Sequence, residues 1–93
     1  MKIQKDEKRI RKVSILPNPS KGNVQFNIQS EMDSNVLLEV YNFYGNRVYS
    51  TTIKRSSKES ETINWNASHL EKGVYFVRIK SNNEIINKQL ILK

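Results

Sequence analysis

The chain contains no cysteine, so neither a disulfide nor a thiolate metal site helps hold it together. That fits the cytosol and does not exclude a secreted protein. No apolar run approaches the roughly 20 residues of a membrane helix, so no transmembrane segment is expected. Met1 to Lys12 is charged without the apolar stretch of a signal peptide. His69 stands alone, and a zinc site needs several protein ligands, so His69 reads as a surface turn residue. Serines are numerous, but without a second histidine or a Gly-x-Ser-x-Gly elbow they do not make a hydrolase. Nor is there a Gly-rich phosphate loop. Neither an enzyme nor a cofactor is expected.

What remains is a chain of 93 residues, enough for one small core. Its hydrophobic content of 37% and charged content of 27% are those of an ordinary folded domain. The net charge of +7 points first to nucleic acid, but its distribution does not. Residues 1–12 hold six Lys/Arg against two acids, and residues 13–93 hold ten against seven. Over half the excess lies in a short leading segment, which reads as a flexible basic linker. Residues 13–93 form the domain.

One stretch organises that domain. After Leu70-Glu71-Lys72, Gly73 supplies a turn, and Val74 to Ile79 is apolar or aromatic except for Arg78. This reads as a central strand. Tyr75 sits two residues past the turn, where immunoglobulin-like sandwiches place a tyrosine whose hydroxyl bonds to upstream backbone. Asn66 to Leu70 is the expected partner region.

The other elements follow in order. Val13 to Leu16 is a short strand stopped by Pro17-Asn18-Pro19, since each proline lacks a donor and extends its predecessor. Gly22 turns the chain. Val24, Phe26 and Ile28 alternate with polar residues, as in a half-buried strand. A polar loop at 31–35 leads to a third strand, Val36 to Tyr41. A Gly45 turn and a fourth strand, Arg47 to Ile53, come next. Beyond a charged loop at 54–60, Glu61 to Trp65 is the fifth strand. Ser81 to Glu84 makes a hairpin, and Ile85 to Leu92 is the last strand. Seven short strands with no helical period define an all-β, seven-stranded antiparallel immunoglobulin-like β-sandwich.

These residues carry a resemblance. Pro17-Asn18-Pro19 with Gly22, then Val40-Tyr41-Asn42 with Gly45-Asn46-Arg47-Val48, then Gly73-Val74-Tyr75-Phe76, then Lys88 and Lys93, occur in the order seen in type IX (Por) secretion system C-terminal sorting domains. The chain resembles that family over about residues 13–93. The resemblance implies an immunoglobulin-like domain that directs an N-terminal passenger across the outer membrane of certain Gram-negative bacteria, through the periplasm to the surface or beyond. It implies, as partners, the type IX translocon and its shuttle proteins. It also implies a surface sortase-like peptidase that removes the domain, the passenger then being attached to the surface or released. No passenger or export signal precedes the domain, so the resemblance implies a piece of a longer protein or a truncated gene. In a bacterial chain the Asn66-Ala67-Ser68 glycosylation pattern reads as coincidence.

Within that reading, Pro17, Asn18, Pro19, Gly22, Gly45, Gly73 and Tyr75 serve the fold first. Recognition by the translocon is assigned to Lys88, Gln89, Leu90, Ile91, Leu92 and Lys93. If this last strand lies at an edge, its free backbone groups can accept a strand of the export machinery, with Lys88 and Lys93 supplying charge complementarity. The plainer alternative makes it the closing strand, with Lys88 a guard against edge-to-edge aggregation. Lys8, Arg9, Ile10, Arg11 and Lys12 form the expected cleavage region, since an exposed basic linker suits proteolysis.

Two other functions compete. An adhesion or carbohydrate-binding fibronectin III-like sandwich would need an exposed aromatic platform around Phe43 and Tyr44. A nucleic-acid module could stack bases on Tyr41, Phe43, Tyr44 and Tyr49. Those aromatics are instead expected in the core, and no nucleic-acid partner is expected.

Overall fold

The structure, a computed structural model, describes residues 10–30, 35–54, 60–81 and 84–93. The expected loops at 31–34 and 55–59 and the hairpin residues 82–83 lie outside the described residues, as do residues 1–9. Among the described residues there are seven strands and no helix: β1 (Ile10–Leu16), β2 (Asn23–Ser30), β3 (Val36–Tyr41), β4 (Arg47–Ile53), β5 (Ser60–Asn66), β6 (Gly73–Ser81) and β7 (Glu84–Leu92). They form an immunoglobulin-like sandwich of two antiparallel sheets, ordered β1-β2-β5 and β4-β3-β6-β7. β6 is central, as expected, and only its inward face is fully covered, because Tyr75, Val77 and Ile79 are buried while Phe76 is exposed.

Alternation drives the fold. Val24, Phe26 and Ile28 of β2 meet Val36, Leu38 and Val40 of β3 and Val77 and Ile79 of β6 in one core. Phe26, Leu38, Val40, Val77, Ile79 and Leu90 are completely shielded from solvent. Burying each of these side chains contributes about 2 kcal/mol.

β1 departs from expectation. It begins at Ile10, not Val13, so Ile10, Arg11 and Lys12 belong to a strand and not to the linker. Ile10 is only 4% exposed and pairs with Ser30, with a register shift between Ile10 and Lys12. This bulge breaks the period of two, so Arg11 and Lys12 both face solvent while Ile10 stays inside.

Tyr75 behaves as a corner. Its Oη donates to the Glu71 carbonyl at 2.6 Å, one residue beyond the expected Asn66–Leu70 window. Burial, and then the Glu71 charge, pushes its phenol up from the ordinary 10.0. At Gly22, with φ at +147°, an added Cβ would stand 2.8 Å from Ser68 Cβ, so the turn admits no side chain. The Gly22 carbonyl also accepts the Ala67 amide at 2.7 Å, which joins the start of β2 to the link after β5.

Candidate functional site

The last strand is an edge strand, but its outer edge is not uniform. β7 pairs with β6 from Glu84 to Leu92, and nothing lies beyond it in its sheet. In an antiparallel ladder the outward-facing main-chain groups recur every second residue. Here they belong to Ile85, Asn87, Gln89, Ile91 and Lys93.

The second half of that edge is occupied by the segment between β1 and β2. Asn18 Nδ2 donates to the Gln89 carbonyl at 2.8 Å, and Asn18 Oδ1 accepts the Ile91 amide at 3.0 Å. The Ser20 amide donates to the Ile91 carbonyl, and the Lys93 amide to the Ser20 carbonyl, both at 2.8 Å. A carboxamide has the donor and acceptor of a peptide unit, so the Asn18 side chain acts as one link of an added strand. Ser20 supplies the next, as a short parallel bridge to Leu92. Ser20 is itself fixed: its Oγ donates to the Asn23 carbonyl at 2.8 Å and accepts the Gly22 amide at 3.0 Å. Pro17 and Pro19 flank Asn18 and offer no amide of their own to compete. The bonds preceding both prolines are cis.

This arrangement corrects one expectation. Strand addition along Ile91–Lys93 is closed, because the Gln89 carbonyl, the Ile91 amide and carbonyl and the Lys93 amide already have partners. Leu90 and Leu92 are buried at 0% and 4% exposure and serve the core. Lys88, Gln89, Ile91 and Lys93 present their side chains to solvent. The open edge lies earlier. Among the described residues nothing pairs with the outward groups of Ile85 and Asn87, and Ile85 is 55% exposed. Sequence reasoning took Pro17-Asn18-Pro19 as a strand terminator and missed the clasp that Asn18 forms.

The expected cleavage residues divide. Lys8 and Arg9 lie outside the described residues. Ile10 is buried, and its amide donates to Glu84 Oε1 at 3.1 Å, tying the start of β1 to the start of β7. A protease needs extended, unpaired chain, so Ile10–Lys12 in β1 is a poor substrate.

The outer face of the four-stranded sheet holds the main charged cluster among the described residues. Glu39 is 5% exposed and lies against Arg47 Nη1 at 3.1 Å and Arg78 Nε at 3.4 Å. Burial opposes its charge, but hydrogen bonds from Arg47, Tyr41 and Arg78 and the Arg78 charge hold its carboxyl below the ordinary value. Arg78 also sits 5.6 Å from the centre of the Tyr41 ring. This is a structural clamp, with both cations spent on one carboxylate.

The aromatics are not all in the core. Tyr49 is half-buried, but Phe43 and Tyr44 are 70% and 82% exposed, contrary to expectation. Asn42 Oδ1 accepts the amides of Tyr44 and Asn46, both at 2.9 Å, and the tight turn this makes throws both rings outward. Their planes stand at 84°, so they offer no common surface on which a base or sugar could stack. His69 is exposed in the turn after β5.

The described residues form an immunoglobulin-like β-sandwich module with one edge strand partly covered by the β1–β2 link. The chain belongs to the family described as "Secretion system C-terminal sorting domain", whose profile matches residues 14–93. It is a type IX sorting signal, a domain that addresses its protein to the cell surface or the extracellular space and is not itself catalytic. Among solved structures, dimeric latent PorU from Porphyromonas gingivalis is similar over 97% of this chain, with 24% identity and a TM-score of 0.68. The chain spans about a tenth of that protein's length, and the likeness is one of fold. No curated protein matches the chain.

Proposed function

We propose that the type IX translocon and its shuttle proteins read this domain while it is folded, through the first half of β7. The contacts are strand addition on the outward groups of Ile85 and Asn87, with Lys88, Gln89, Ile91 and Lys93 supplying side-chain contacts around them. The domain is read, and performs no reaction. An N-terminal passenger is carried through the periplasm and across the outer membrane. A sortase-like peptidase then severs the domain on the N-terminal side of Ile10, leaving the passenger anchored or released.

The observation that carries this reading is the half-open edge: Asn18 and Ser20 cover the groups from the Gln89 carbonyl to the Lys93 amide, and Ile85 to Asn87 is left bare among the described residues. The test is a reporter fused ahead of the chain and expressed in a type IX-competent host. Asn87→Pro removes one outward donor without touching the β6 ladder, a substitution edge strands tolerate. Export is expected to fall severely while the purified domain still melts cooperatively. Normal export would refute the edge reading. Mass spectrometry of the exported reporter should place the cut before Ile10, and a cut within β1 would contradict the assignment.

A further inference from the structure

The solvent faces of the two sheets differ in chemistry. Across the four-stranded sheet run Glu39, Arg47, Arg78 and Lys80. On the three-stranded sheet the row Lys12–Gln29–Ser60 holds one lysine, and beyond it the rows Ser14–Asn27–Thr62 and Leu16–Gln25–Asn64 and the pair Asn23–Asn66 carry no charge. In a chain that is 27% charged, the end of the face away from Lys12 is uncharged and rich in carboxamides.

At one end of this face lies a groove of about 530 Å³. Its apolar part comes from Leu16, which is 51% exposed, together with Pro17. Its polar part is a two-by-two array of carboxamides, Asn23 opposite Asn66 and Gln25 opposite Asn64. Inside the face the hydrogen bonds run in one direction. Thr62 Oγ1 donates to Asn27 Oδ1 at 2.9 Å, Asn27 Nδ2 to Gln25 Oε1 at 3.2 Å, and Gln25 Nε2 to Asn64 Oδ1 at 3.3 Å. The relay ends in the groove. Among the described residues Asn64 Nδ2 and Asn66 Nδ2 have no acceptor, and neither end of the Asn23 carboxamide has a partner. Asn66 Oδ1 is held by the Ser68 amide at 2.9 Å, which fixes that side chain with its donors outward.

We propose that this groove binds a neutral glycan. Carboxamides offer a donor and an acceptor in one plane, matching adjacent hydroxyls, and the apolar wall accepts the C–H face of a pyranose ring. The eight lining residues include no cation to hold a phosphate or carboxylate. The site is on the opposite sheet from the open part of β7 and does not rest on the sorting mechanism.

The probe is the full chain, labelled with nitrogen-15 and titrated separately with maltohexaose, cellohexaose, chitohexaose and mannohexaose at millimolar concentration. At least one sugar should shift the side-chain amide signals of Asn23, Gln25, Asn64 and Asn66, leaving the β7 amides in place. Gln25→Leu with Asn64→Leu should weaken binding about tenfold or more with an otherwise unchanged backbone spectrum. If that pair disturbs folding, Asn64→Ser alone provides the same readout. The proposal fails if no sugar moves these signals, if the shifts fall elsewhere, or if the folded variants bind as tightly as the parent. It fails equally if an uncharged extended peptide occupies the groove and no sugar does.

Discussion

The two flanks of the sandwich are closed by different physics. Where β5 meets β4, Trp65 stacks on Tyr49 at 4.6 Å and 14° and on Phe26 at 6.2 Å and 23°. Where β1 meets β7, closure comes from hydrogen bonds: Ile10 to Glu84 at one end, and Asn18 and Ser20 to Gln89, Ile91 and Lys93 at the other. An apolar stack stabilises by area removed from water and tolerates small displacements. A hydrogen-bonded clasp contributes little net energy but fixes geometry, since each donor needs its acceptor in place. The first flank therefore holds the sheets together, and the second decides which part of the edge strand remains free.

If that division is right, breaking the aromatic flank costs most. Trp65→Ala removes both stacking partners' contact and should lower stability by about 3 kcal/mol, read as the shift in a denaturant midpoint. Asn18→Ala should cost only about 1 kcal/mol, because its two hydrogen bonds are partly replaced by water. Its larger consequence is a longer free edge, seen as concentration-dependent self-association in sedimentation that the parent lacks. A Trp65 effect no bigger than that of Asn18 would overturn the comparison.

The Tyr75 corner belongs to neither flank. Its phenol is pushed up in the fold by burial and by the Glu71 charge, so the neutral form is the one the fold favours. That contribution is whole below about pH 10 and is lost as pH rises through the raised value. Melting curves taken as the pH is raised above the ordinary phenol range should show an alkaline loss in the parent that is absent in Tyr75→Phe. Tyr75→Phe should itself cost about 1 kcal/mol at neutral pH through the lost bond to Glu71.

The sandwich was legible because β2 and β5 alternate, β6 is a dense apolar run after a glycine turn, and the turns between β2 and β7 are polar or carry glycine. β1 was half-legible: the bulge puts Arg11 and Lys12 side by side in solvent, so Ile10 looked like linker. The clasp was not legible. Asn18 meets partners 71 and 73 residues away, and no periodicity records a side-chain amide standing in for a backbone unit. The same holds for the outward turn of Phe43 and Tyr44, which depends on where the Asn42 carboxamide points. Local pattern gives strands; it does not say which edges stay open.

Amide hydrogen exchange along β7 asks that question residue by residue. The amides of Ile91 and Lys93 should be strongly protected, and those of Ile85 and Asn87 should exchange quickly although the strand is fully formed. Equal protection from Ile85 through Lys93 would mean that no part of the edge is available to a partner, and the account of how this domain is read would be wrong.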